Sequence, residues 1–208
     1  MSKWLRTTLA AFFALIAFTI GNGARAEPVT FVALATIKPD GQTGYDEFIE
    51  KVTPIWNANG MRVLARLKVV DLMIDPAFPL PTEIAVIHAD TREGFNAYIA
   101  SDAYAKIKDL RLNAVKHLTV LEGNLFDRSG EKFLANNPMA VVTMAGRRAV
   151  APRSGMTVDV MLYGPVKGER SPFLEAVQRV HILPLGFDDN PTNFANTADQ
   201  AFIAEQIR

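Results

Sequence analysis

Apolar and polar residues change period several times between residues 28 and 124, and each change predicts an element. "PVTFVALATI" alternates as a strand, with Phe31, Ala33, Ala35 and Ile37 on one face and Val32 and Leu34 on the other. After the turn "KPDGQTG", the residues Tyr45, Phe48, Ile49, Val52 and Trp56 recur at helical spacing. Pro54 predicts a kink in that helix and Gly60 its stop. "MRVLARLKVVDLMI" reads as a long strand, residues 75–81 ("DPAFPLP") break it, and "TEIAVIHA" is a third strand. Asp90 is predicted to cap the next helix, with Glu93 three residues on completing a capping box and Phe95, Tyr98 and Ile99 as the inner stripe. "SDAY" restarts a helix that runs to about Asn113, and "HLTVLEG" is the fourth strand.

The order strand, helix, strand, strand, helix, strand is the split βαβ, or ferredoxin-like, arrangement, so the fold class is α+β. Both helices cover one face of such a sheet. The other face needs its own cover, and dimerisation face to face is the usual remedy.

"GYDEFIEKVTPIWNANGMRVLAR", the later "TREGFNAYIASDAYAKIKDLRLNAV" and "VLEG" together resemble the DUF1330 family of the dimeric α+β-barrel superfamily. The matching positions are Tyr45 and Phe48, Gly60 with Arg62 to Arg66, Ser101 with Tyr104, and Arg111, within residues 28–124. The chain departs from the pattern in having Asn59 before a single glycine and a longer proline-rich loop before the third strand. The resemblance implies a βαββαβ domain of the dimeric barrel type. Its superfamily mixes cofactor-free monooxygenases, isomerases, haem enzymes and proteins of no known chemistry, so it implies no single activity.

Beyond residue 126 the pattern predicts a smaller α+β region, 127–208, which would be a truncated, diverged copy of the first half or an accessory to it. "NPMAVVTMAGRR" and "MTVDVMLYGPV" read as a hairpin joined by "GRRAVAPRSG". "SPFLEAVQRVHIL" reads as a helix capped by Ser171, and "TADQAFIAEQI" as another, opened by a capping box of Thr197 and Gln200.

The first 26 residues stand apart. Lys3 and Arg6 precede the 12-residue uncharged run "LAAFFALIAFTI", and Ala24 and Ala26 hold small-residue positions before Glu27, the plan of a cleaved secretory signal. The chain has no cysteine, so an exported product relies on neither disulfides nor thiolate metal sites, which suits a bacterial periplasm. The domain reading is thus signal peptide 1–26, barrel domain 27–126 and C-terminal region 127–208. The chain's 22 basic and 22 acidic residues balance, and the N-terminal segment holds three of the basic ones. The remainder is mildly acidic, with arginines too sparse for a nucleic-acid groove.

On the second strand a period of two places Arg62, Arg66 and Lys68 together on one face, directed to a barrel lumen or a partner. Guanidinium groups there suit an anion, because arginine offers a bidentate fork and keeps its charge. His88, in line with Ile84 and Val86, is the candidate proton carrier. Trp56, Tyr98 and Tyr104, with Tyr45, are candidates to line an aromatic pocket, although helical spacing also suits plain core packing. Arg111 and His117 sit at a helix end and a strand start, where a cation complements the helix dipole. The histidines His88, His117 and His181 lack metal-ligand spacing, and "FDDNPTN" lacks the glycine and distal glutamate of a calcium loop. No nucleophile elbow, phosphate loop or dinucleotide fingerprint occurs, so no metal or cofactor is expected.

Three functions fit these residues. One is an exported module binding a small, apolar, anionic molecule, with Arg62 and Arg66 as anchors. Another is a cofactor-independent monooxygenase or isomerase, with His88 as proton carrier and the arginines stabilising an enolate. The last is a non-catalytic assembly module, whose bare sheet face serves only a homodimer contact. If the C-terminal half is a second barrel unit, it would close the sheet within one chain instead.

Overall fold

The first strand has no solvent face, and that decides the architecture. In the computed structural model, which describes residues 27–74, 80–127, 139–145, 158–165, 179–184 and 200–207, β1 spans Val29–Ile37. Phe31, Ala33, Ala35 and Ile37 enter one core while Val32 and Leu34 enter a second. A strand buried on both faces must lie between two layers.

The outer layer is helical. Helix α1, Gln42–Ala58, buries Tyr45, Phe48, Val52 and Trp56, and it runs through Pro54. Gly60, at φ +68°, turns the chain into β2, Met61–Ile74, a backbone conformation that L side chains rarely adopt. Strand β3, Glu83–Ala89, leads to α2, Arg92–Ala100, and α3, Asp102–Ala114. Thr91, not Asp90, caps α2: its extended backbone sets the hydroxyl to accept from Gly94 N. Asp90 is turned instead toward Arg62, 3.7 Å away. Ser101 ends α2 and caps α3, accepting from Tyr104 N, which breaks the two helices apart without a loop.

The sheet is a closed barrel of eight strands in the order β1-β3-β2-β8-β5-β7-β6-β4. Strand β4 is Val115–Asp127, β5 Met139–Ala145, β6 Val158–Pro165, β7 Arg179–Pro184 and β8 Gln200–Gln206. Every pairing is antiparallel. The face that an open four-stranded sheet would leave bare is covered by the same chain, through seams between β2 and β8 and between β4 and β6. Inside, Leu34, Leu67, Ile84 and Leu121 meet Met144, Val160, Ile182 and Phe202 in one continuous apolar core. Each such fully buried side chain stabilises by about 1.5–3 kcal/mol. The lumen is therefore packed with side chains.

Three readings of the sequence are corrected here. The strand pair β5 and β6 is no hairpin, since β7 lies between them. Arg179–Pro184 and Gln200–Gln206 are strands, not the ends of helices. Val180 and Ile182 alternate with His181 and Leu183, all four are buried, and sheet pairing from distant segments outweighs the local helix signals. The third correction concerns β2. Its register shifts between Val63 and Ala65, a bulge that sends both Leu64 and Leu67 into the lumen. Arg62 pairs with His88 on the lumen side, whereas Arg66 lies opposite Ala85 on the helix side. Lys68, in unbroken register two residues on, shares the face of Arg66, so the three cations of β2 do not all lie together. The segment 1–26, most of the proline-rich loop, "GRRAVAPRSG", Ser171, Thr197 and "FDDNPTN" lie outside the described residues.

Candidate functional site

The outer face of the barrel wall is made partly of alanine. Ala33 and Ala85 are register partners on β1 and β3, and their short side chains face the space beneath the helices. The gap is a cavity of about 610 Å³ between this wall and the three helices, within the size range of small-molecule sites. Its floor is Phe31, Ala33, Ala85, Ile87, Leu118 and Val120. Its roof comes from α1 (Tyr45, Phe48, Trp56), α2 (Phe95, Tyr98, Ile99) and α3 (Tyr104). Phe31 and Phe95 stack at 4.1 Å between ring centroids, pinning α2 to the sheet at one end.

Arg111, in the last turn of α3, reaches into this apolar space. Its guanidinium carbon stands 5.9 Å from the Phe48 ring centroid and 5.8 Å from that of Tyr104, a cation–π placement. Its Nε is buried without a hydrogen-bond partner, and among the described residues no carboxylate pairs with it. Burying a charge is costly unless it is paired. The arrangement suits an anion entering from the cavity.

Trp56 stands edge-on to Tyr98 at 6.1 Å, and Tyr98 is 4.7 Å from Tyr104. Trp56 Nε1 meets no acceptor in hydrogen-bonding geometry, although it lies close enough to the Tyr98 hydroxyl to favour its ionised form slightly. Burial, followed by the nearby Tyr104, pushes the Tyr98 phenol well above its ordinary range. Burial and then the charge of Glu83 do the same to Tyr45. These phenols are protonated donors at neutral pH. Arg92 and Glu122 complete the wall, with Nη1 donating to Oε2 at 2.9 Å and Nη2 to Oε1.

Of the residues singled out from sequence, Trp56, Tyr98, Tyr104 and Arg111 are brought together here. Arg62, Arg66 and His88 are not. Arg62 faces Asp90 at the start of β2. Arg66 is held by Glu83 and Asp46 beneath Tyr45, 5.6 Å from its ring. His88 lies on the lumen side, its Nδ1 3.1 Å from Thr30 Oγ1. His117 is exposed, and His181 is buried in β7 beside Thr143. Glu122 pairs with Arg92 and not with the cations of β2. Among the described residues no three His, Cys, Asp or Glu converge as a metal site would require. The sequence reading missed Arg92, Asn96 and the alanine floor. Alternating alanines on a strand face otherwise lined with large side chains were the available signal.

Chemically, the described lining offers aromatic faces, phenol donors and one cation without a carboxylate partner. Its carboxylate, Glu122, is engaged by Arg92, so no free base faces the space among the described lining residues.

No family model matches the chain, and no curated protein matches it. Among solved structures, a protein of unknown function from Rhodopseudomonas palustris is 15% identical over 59% of this chain and 92% of that one, with a TM-score of 0.43. A mutant chlorite dismutase from Candidatus Nitrospira defluvii is 10% identical over 87% and 91%, with a TM-score of 0.45. An anthrone oxidase-like protein is 8% identical over 89% and 93%, also at 0.45. At such identities and scores these likenesses carry no chemistry over to this chain.

Proposed function

We propose that the chain is an exported binding protein for a small, apolar, anionic molecule, held between the barrel wall and the helices. The observation that carries this reading is Arg111: a half-buried cation whose Nε is buried and unpartnered, set over two aromatic rings and without a carboxylate partner among the described residues, in the wall of an apolar cavity. The anchor is thus Arg111 in place of Arg62 and Arg66, with Trp56, Tyr98 and Tyr104 gripping the ligand's apolar body. A cofactor-independent oxygenase or isomerase is the weaker reading, because the described residues of the cavity wall offer no unengaged base and His88 lies on the other side of the sheet.

Export is supported by the basic, apolar and small-residue order of residues 1–26, and the periplasm by the lack of cysteine. The order β4-β1-β3-β2 recurs as β8-β5-β7-β6. That recurrence supports a ferredoxin-like half used twice, as 27–126 and 127–208, the first of them the part that resembles DUF1330. In this reading the second half takes the place of a dimer partner.

Calorimetric titration with 2-naphthoate, an aromatic monoanion of suitable size, tests the function. One site per chain is expected, weakened about tenfold or more by Arg111→Gln, the loss typical of a charge-assisted hydrogen bond. Absence of saturable binding, or binding indifferent to Arg111→Gln, would overturn the proposal.

A further inference from the structure

Among the described residues three charged side chains line the cavity, and two of them neutralise each other. Arg92, in the first turn of α2, presents both Nη atoms to the two carboxylate oxygens of Glu122. Arg92 is half exposed at the rim, while the Glu122 side chain is only 19% exposed and lies further in. Arg111 is the remaining charge. We infer that the cavity accepts ligands carrying a single negative charge and that Glu122 is the residue setting this limit, an inference that rests on the binding reading above.

The argument is one of occupied forks. A ligand with a second carboxylate needs a second guanidinium, and the other one in the described wall is Arg92. Its fork is already filled bidentately by Glu122, the geometry in which arginine binds carboxylates best. An incoming carboxylate would have to displace Glu122 and then sit beside it, a like-charge contact in a partly water-excluded space. Glu122 cannot retreat with its backbone. It is paired with Phe31 of β1 on one side and Gly164 of β6 on the other. The next residue, Gly123, lies so tightly against Met161 that a Cβ there would stand 1.9 Å from the Met161 carbonyl oxygen. The rim thus rejects a second anion by repulsion as well as by withholding its cation, which is how selective sites commonly discriminate. A neutral polar tail meets no such penalty, since Asn96 lines the same cavity.

The test compares three probes of one ring system by calorimetry: 2-naphthoate, 2,6-naphthalenedicarboxylate and the matching neutral-tailed 6-carbamoyl-2-naphthoate. The native chain is expected to bind the monoanions at least about tenfold tighter than the dianion, the scale of one charge-assisted contact. Glu122→Gln keeps the side-chain shape, frees Arg92, and is expected to tighten the dianion until the preference falls below about threefold. Adding Arg92→Gln to that variant should abolish the gain. Equal binding of monoanion and dianion by the native chain, or an unchanged preference in Glu122→Gln, would overturn the inference and leave the binding reading standing. Binding of no probe, or binding unaffected by Arg111→Gln, would overturn both.

Discussion

Arg66 and Glu83 face each other across β2 and β3 with two hydrogen bonds, Nε to Oε2 at 2.8 Å and Nη2 to Oε1 at 3.0 Å. Glu83 is almost wholly buried and also accepts from Gln42 Nε2 at 2.9 Å, so the pair ties the helix α1 to the barrel wall behind the cavity. Such a pair is worth little against an apolar substitute, yet breaking one side of it strands a buried charge. Arg66→Met is therefore expected to cost about 3 kcal/mol in denaturant unfolding. The double variant Arg66→Met, Glu83→Leu should recover at least half of that. If the double variant is no more stable than the single one, the two residues are not coupled.

The buried phenols of Tyr45 and Tyr98 bind their protons more tightly in the folded chain than in the unfolded one, chiefly because burial disfavours the phenolate. Above the ordinary tyrosine pKa of about 10, the unfolded chain releases protons that the folded chain keeps. Stability contributed by these groups is full below that pH and falls as pH rises beyond it. Absorbance at the phenolate band should show Tyr45 and Tyr98 silent near their ordinary range, ionising only as the fold is lost. Phe substitution at both positions should leave the native titration curve near pH 10 unchanged.

Two glycines of the helical layer should respond in opposite directions to alanine. A Cβ on Gly94 would stand 2.3 Å from the Asn59 carbonyl oxygen, a backbone atom that cannot step aside. Gly94→Ala is expected to push α2 outward, cost about 1–3 kcal/mol and shift the emission of Trp56, read with Trp4→Phe in place so that Trp56 is the sole indole. A Cβ on Gly44, inside α1, would meet the Ala114 Cβ at 3.6 Å and the Leu110 carbonyl oxygen at 4.0 Å, both ordinary contacts. Gly44→Ala should stabilise by roughly 0.5–1 kcal/mol through helix propensity and a less free unfolded chain. Thermal unfolding of the two variants checks both signs.

What was legible in the sequence was local. The two faces of β1, the inner stripe of α1, the stop at Gly60 and the restart at Ser101 follow from residues within one or two turns of each other. The same holds for Trp56, Tyr98 and Tyr104, which helical spacing turns inward, whereas Arg111 stood out in the sequence only as a cation near a helix end. What was hidden depends on register between distant segments. The bulge after Val63 separates Arg62 from Arg66 and reverses the face expected of the second. Arg92 and Glu122 meet across 30 residues of chain, and the alanine floor exists only because Ala33 pairs with Ala85. Strand β8 takes its conformation from β2 and β5, far behind it in the chain, against a helix-capping signal at Thr197 and Gln200.

Closure of the barrel within one chain makes a final prediction about residues 27–127 alone. In the whole protein β2 hydrogen-bonds to β8 and β4 to β6, and Val32, Leu34, Ile84, Val86 and Leu121 face β5–β8 across the lumen. Cutting after Asp127 leaves two unpaired strand edges and an uncovered apolar sheet face, both of which promote self-association. The fragment retains every described residue that lines the cavity, since that wall is built from β1 to β4 and the three helices. Sedimentation analysis should therefore find the fragment as a dimer or larger species, whereas a lone, soluble, folded monomer would show that the second half is dispensable to the first. If the fragment dimerises in an orderly way, two copies of the first half will have replaced β5–β8. The dimer should then bind 2-naphthoate at two sites, one for each Arg111.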